Sequence, residues 1–221
     1  MNSFGRIDIE AVVDEVEHPA LVAAAEQLGE CLSAASEHRR EVRLTFAPSF
    51  SAIEGREPTS VVIASMFPEV ARNESIARTD ARWRKQLSSL PAVSAQSVFL
   101  CTVFRHVSPN AAKQPSDARP AITERIRRLN LLAADLSHDT GAGIIDIDRA
   151  FAHVGARALE TDYRLSGAVA AEVAAHTIVW SLLSVGLDDL VAPAIQQRAM
   201  QFHGALWHIG GLLDRRLGQR R

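Results

Sequence analysis

Short apolar runs alternate along this chain with longer stretches in which apolar side chains recur every three or four positions. Residues 19–38 place apolar side chains at 21, 24, 25, 28, 32 and 35, the spacing of one helix face, with Pro19 suited to a first turn. EVRLTF at 41–46 is short and partly alternating and reads as a strand. Residues 60–67 and 97–104 are β-branched or aromatic runs, the mark of strands buried on both faces, and GIIDI at 143–147 is a third. Between them, residues 74–90 set Ile76, Trp83, Leu87 and Leu90 on one side of a helix. Residues 121–138 form an amphipathic helix that stops at Gly141 and Gly143. A short helix is expected over 150–160, an apolar one over 168–185, and a weak first strand in 5–11.

Short apolar strands alternating with amphipathic helices predict an α/β fold of three α/β/α layers around a mostly parallel sheet. The tail differs. From Ile195, apolar residues follow at 199, 202, 206, 209, 213 and 217, close to a heptad seam. The expected organisation is therefore an α/β domain over 1–190 and a helical extension over 191–221. The extension is expected to dock through 195–217 on the body, on a second copy or on another protein.

Composition narrows the class without naming an activity. The 221 residues carry a formal net charge of −2, which gives no case for nucleic acid, and 47% hydrophobic residues, enough for a real core. Two cysteines, Cys31 and Cys101, are too few for a disulfide scaffold, so the expected setting is reducing and cytoplasmic. MNSFGRIDIE lacks the basic start and apolar run of a signal peptide. The most apolar stretch, Ala168 to Leu183, is broken by Glu172 and His176, so no spanning helix is expected. There is no G-x-G-x-x-G and no Walker loop, so no nucleotide cofactor is expected. The histidine spacings do not suit zinc, so no metal is expected.

The succession VVIAS, FLCTVF, RLNLLAADLSHDTGAGIIDID and TDYRLSGAVAAEVAAHTI, from Val61 to about Leu183, resembles the SGNH (GDSL-type) hydrolases. The resemblance implies the doubly wound fold and a set of chemical groups. A serine would follow the first strand in a G-D-S turn, a Gly and an Asn would help hold the oxyanion, and an Asp–His pair would lie before the last helix. A serine hydroxyl needs such a base, and the developing charge needs aimed donors.

This chain departs from each block. RIDIEAVVDE offers no Gly-Asp-Ser, the strand at 61–65 leads into Ser65-Met66-Phe67-Pro68, and Arg164 stands where the histidine is expected. A guanidinium stays protonated and accepts no proton.

Two functions follow from this reading. One is a non-catalytic or repurposed SGNH-like domain that binds an acyl, sugar or protein ligand at the carboxyl edge of the sheet, with Ser65, Asp148 and Arg164 as binding residues. The other is a divergent esterase or acyl-transfer enzyme acting on an acyl ester. In it Ser51 or Ser49 would be the nucleophile, His106 the base, and Asp162 or Asp148 its orienting partner. Ser51 stands four residues before Gly55, the family's turn spacing, but the same loop also fits the family's oxyanion glycine. Asp146 and Asp148 flank Ile147 and, in an extended segment, would share one side.

Overall fold

Five short segments pair into one sheet in a computed structural model that describes residues 6–37, 39–53, 59–90, 95–108 and 118–206. They are β1 (Arg6–Val12), β2 (Glu41–Phe46), β3 (Thr59–Ser65), β4 (Ala95–Cys101) and β5 (Gly143–Ile145). The order is β2-β1-β3-β4-β5 and every neighbouring pair is parallel. Parallel pairing requires crossovers. Helix α1 (His18–Ala35) joins β1 to β2, α2 (Pro68–Ala71) and α3 (Ile76–Ser89) join β3 to β4, and α4 (Ala118–Thr140) joins β4 to β5. The order reverses between β1 and β3, which opens a crevice at the carboxyl ends of those strands.

The period of two along β3 decides the layers. Val61 and Ile63 face one core with Ile7, Ile9 and Ala11 of β1, while Val62 and Ala64 face the other. The first core is closed by α1 and α7 (Ala168–Ser181), with α5 (Ile147–Val154) beside α7 and α8 (Pro193–Leu206) against α1. The second is closed by α3 and α4, with Trp83, Leu87, Ile126, Leu129 and Leu136 buried. Two glycines make room for Phe99, which is 2% exposed. An added Cβ would lie 2.5 Å from its ring at Gly143 and 2.8 Å at Gly186.

The expected three-layer α/β/α fold with a parallel sheet is the one observed. The segment expected to be a weak first strand is β1, hydrogen-bonded on both sides by β2 and β3. The single helix expected over 150–160 is two, because Gly155 at φ 89° separates α5 from α6 (Ala156–Leu159). The expected strand 97–104 leaves the ladder at Cys101, beyond which the Asn130 side chain of α4 accepts from Val103 N and donates to Val103 O, both at 2.8 Å. Asp146 and Asp148 do not flank an extended residue. Asp146 is the N-cap of α5, its carboxylate accepting from Arg149 N, so the helix begins between the two acids.

Helix α7 continues through a π-turn at Leu182–Gly186. Together, Ala168–Gly186 is long and apolar enough to cross a membrane by composition, yet half of it is buried inside the fold. Helix α8 lies on α1, where Arg198 Nε donates to Ala35 O at 2.9 Å. The His203 ring stacks on His176 at 4.1 Å, and the Cys31 Sγ is 3.8 Å from His203 Nδ1. Ile209, Leu213 and Leu217 of the expected seam lie outside the described residues, as does Gly55.

Candidate functional site

The carboxyl ends of the strands bring five loops to one edge. After β1 the chain turns through a 3-10 turn at Glu15–Glu17 with reciprocal capping: Val16 N donates to Asp14 Oδ1 at 3.1 Å, and Asp14 N donates to Glu17 Oε2 at 2.9 Å. The Glu17 carboxyl is buried, and its other oxygen accepts from Ser65 Oγ at 2.6 Å. Burial pushes this carboxyl up to about 7, against the pull of the Ser65 hydroxyl and the Asp14 N–H. Ser65, at the end of β3, also accepts from Phe67 N at 3.0 Å and is buried. The loop after β3 is held by arginines: Arg82 grips Glu69 with both terminal nitrogens, and Arg125 donates to Glu69 O and Glu74 O.

The loop after β2 carries Ser49 and Ser51. Phe50 between them is buried, its ring edge-on to Trp83 at 5.5 Å. The two hydroxyls lie 2.9 Å apart. Among the described residues they are hydrogen-bonded to each other and not to His106.

After β4 and β5, Thr102 Oγ1 donates to Asp146 Oδ1 and accepts from Asp148 N, both at 3.0 Å. Asp148 accepts from Arg105 N at 2.9 Å and forms an ion pair with the Arg105 side chain. Burial pushes the Asp148 carboxyl up, and Arg105 offsets part of that. His106 follows, its carbonyl accepting from Tyr163 N at 2.8 Å, which ties this loop to the segment before α7.

That segment holds the charge of the edge. Asp162 is 3% exposed and accepts from Arg164 N and Nε at 3.0 Å and from Arg164 Nη2 at 2.7 Å. Burial pushes the Asp162 carboxyl up, but the hydrogen bonds and charge of Arg164 outweigh it and hold the group below its ordinary range. The same bonds hold the guanidinium more firmly charged. Leu165, next in the chain, has φ 55°, a left-handed conformation costly for a branched residue.

Two cavities flank Arg164. One of about 690 Å³ lies between the starts of α1 and α7 and is lined by Val16, Pro19, Arg164, Leu165, Ser166 and Ala171 among others. The other, about 610 Å³, is lined by residues that include His106, Ser108, Arg157, Asp162, Arg164 and Ser166. A larger one of about 950 Å³ lies by Gly29, Arg40 and Val42, at the opposite edge of the sheet.

Of the residues singled out from the sequence, the structure thus brings His106, Asp162 and Arg164 to one cavity. Ser49 and Ser51 sit on the loop after β2 and line neither cavity beside Arg164, Ser65 lies beneath the surface against Glu17, and Asp148 is engaged with Arg105. Sequence reasoning missed Glu17, Arg157 and Ser166. Asp14-x-x-Glu17 has the spacing of a capping box, the one available signal for Glu17. Among the described residues no group of three or more His, Cys, Asp or Glu is placed to hold a metal ion.

No protein-family model matches this chain. No curated protein matches it in sequence. Solved structures do match in shape. A protein described as an SGNH hydrolase from Slackia heliotrinireducens superposes with a TM-score of 0.57 at 13% identity, over 80% of this chain and 100% of that one. The lipase/acylhydrolase from Enterococcus faecalis gives 0.57 at 15% identity, over 80% and 95%. An acetylxylan esterase from Geobacillus stearothermophilus, Axe2, gives 0.54 at 12% identity, over 81% and 95%. At such identities the likeness is one of architecture. The five parallel strands, their order and these superpositions together show that the chain has an SGNH-like three-layer α/β/α fold.

Proposed function

We propose that this chain is an SGNH-like domain that no longer cleaves esters and instead binds a ligand at the carboxyl edge of its sheet. The observation that carries the reading is the cavity between the starts of α1 and α7. In the fold it resembles, the segment after β1 supplies the serine and the segment before the last helix supplies the histidine. Here those two segments line one cavity with Val16 and Pro19 on one side and Arg164 on the other. Thr161 stands three residues before Arg164, where the family has its aspartate, and the neighbouring carboxylate of Asp162 is occupied by the guanidinium. An arginine accepts no proton, so nothing at that seat activates a hydroxyl. Arg164 contacts the ligand. Asp148 and Ser65 act beneath it, the first by fixing Arg105 and the second by locking Glu17.

A second reading, a divergent serine esterase or acyltransferase, is favoured by one observation: His106, Asp162, Ser108 and Ser166 line the same cavity. Hydrolysis of p-nitrophenyl acetate separates the two. The binding reading predicts the same background rate for the wild type, Ser51→Ala, Ser166→Ala and His106→Ala. A rate well above background that collapses in His106→Ala and in one serine variant establishes the enzyme instead.

A further inference from the structure

Resting on the ligand-binding reading above, we propose that the cleft around Arg164 takes an organic monocarboxylate with a short apolar body. The two cavities share Arg164 and Ser166, so one side chain stands at the seam between two chemistries. On one side the wall is aliphatic: Val16, Pro19, Leu165, Ala168 and Ala171. Val16 is 46% exposed, an apolar side chain left in water beside a cavity of about 690 Å³. On the other side the wall is polar, with His106, Ser108, Arg157, Thr161 and Ser166.

Arg164 joins the halves. Its side chain is 50% exposed, while its Asp162 partner is 3% exposed. Asp162 engages Nε and Nη2, so of the five N–H donors of a guanidinium three remain at the other end. The buried carboxylate also fixes the plane of the group, so little side-chain freedom is left to lose on binding. A planar fork of donors matches the two oxygens of a carboxylate.

Charge decides between anions. Arg157 and Arg164 are balanced on this wall by Glu160 and Asp162. The cleft therefore offers directed donors without a net positive field, which suits a singly charged head better than a doubly charged phosphate monoester. The aliphatic half supplies the contact for the body.

Isothermal titration calorimetry of the full chain with hexanoate, acetate, 1-hexanol and hexyl phosphate tests this. Hexanoate is expected to bind, with the other three weaker by about tenfold or more, the loss of one charge-assisted contact or of the apolar body. Arg164→Gln is expected to weaken hexanoate by about tenfold or more on the same ground. Ala168→Trp, a change at an exposed position that fills the aliphatic half, is expected to weaken it without touching the fork.

Hexanoate that does not bind, that binds no better than 1-hexanol or hexyl phosphate, or that is unaffected by both substitutions overturns the proposal. Unbound hexanoate with a silent ester assay removes the carboxylate alone and leaves the repurposed domain standing. Ester turnover by the same preparation removes the underlying reading and this proposal with it.

Discussion

Arg164 and Asp162 form a tight unit because one carboxylate, almost fully withdrawn from water, receives three hydrogen bonds from a single neighbour. Its charge is compensated in the block where the family resemblance implies an Asp–His pair. Glu17 is the opposite case, a buried carboxyl facing hydrogen-bond donors but no cation among its described contacts. Its folded value of about 7 lies above the ordinary 4.5, so the native protein holds a proton that the unfolded chain has released. The stabilisation is fully present below pH 4.5 and is lost as the pH rises through about 7. The difference corresponds to about 3 kcal/mol. Glu17→Gln should remove most of this slope in chemical denaturation measured between pH 5 and 8, and an unchanged slope would assign it elsewhere. Asn130 supports a different prediction. Its amide replaces a strand partner for Val103, so Asn130→Ala should cost about 2–3 kcal/mol and lower the melting temperature accordingly. The sequence marks Glu17 by its capping-box spacing and Asn130 by its place in the RLN block, but shows neither the burial of the one nor the reach of the other. Burial of Glu17 depends on β3 lying across from the turn, and the reach of Asn130 depends on how α4 packs. The arginine was visible, because Arg164 stands in the RLS block where the resemblance implies a histidine.

Secondary elements were the most legible level. Val61 to Ala64 read as doubly buried because no polar residue interrupts them, and they face both cores. Boundaries were less legible where one residue decides them, as Gly155 does by adopting a positive φ between α5 and α6. The start of α5 was missed because Asp146 and Asp148 look like alternate strand positions until the N-cap bond to Arg149 is seen. The seam of the tail gave the helix α8, but not the histidine pair beneath it. Burial holds His176 down to about 3 from 6.5, with the His203 ring adding to it, and burial also holds His203 below its ordinary value. Both stay neutral in the fold while the unfolded chain would protonate, so this contribution is present above pH 6.5 and is lost as the pH falls towards 3. Helix α8 should therefore lose hydrogen-exchange protection on acidification before the sheet does. His203→Phe, which keeps the stacking but cannot charge, should shift that loss to lower pH. Equal protection of α8 and β3 down the whole titration would contradict this.

At the scale of the molecule, a sheet of order β2-β1-β3-β4-β5 sets a crevice at the carboxyl ends of β1 and β3, and five loops converge there whatever chemistry they carry. The architecture was readable from alternating strand and helix patterns. The contents of the crevice were only partly readable, because which hydroxyl reaches which imidazole is fixed by loop geometry, and loops carry no periodicity. Ser49 and Ser51 illustrate this: the spacing of Ser51 to Gly55 suggested a nucleophile turn, while Phe50 packs against Trp83 and the two hydroxyls lie against each other. The proposed binding role requires that no serine of the folded chain is activated. The most direct test is intact-protein mass spectrometry after exposure of the folded chain to a fluorophosphonate, with the denatured chain as reference. A domain that only binds its ligand forms no adduct beyond the denatured background. A single adduct formed much faster by the folded protein, and lost in a His106→Ala variant, would contradict it.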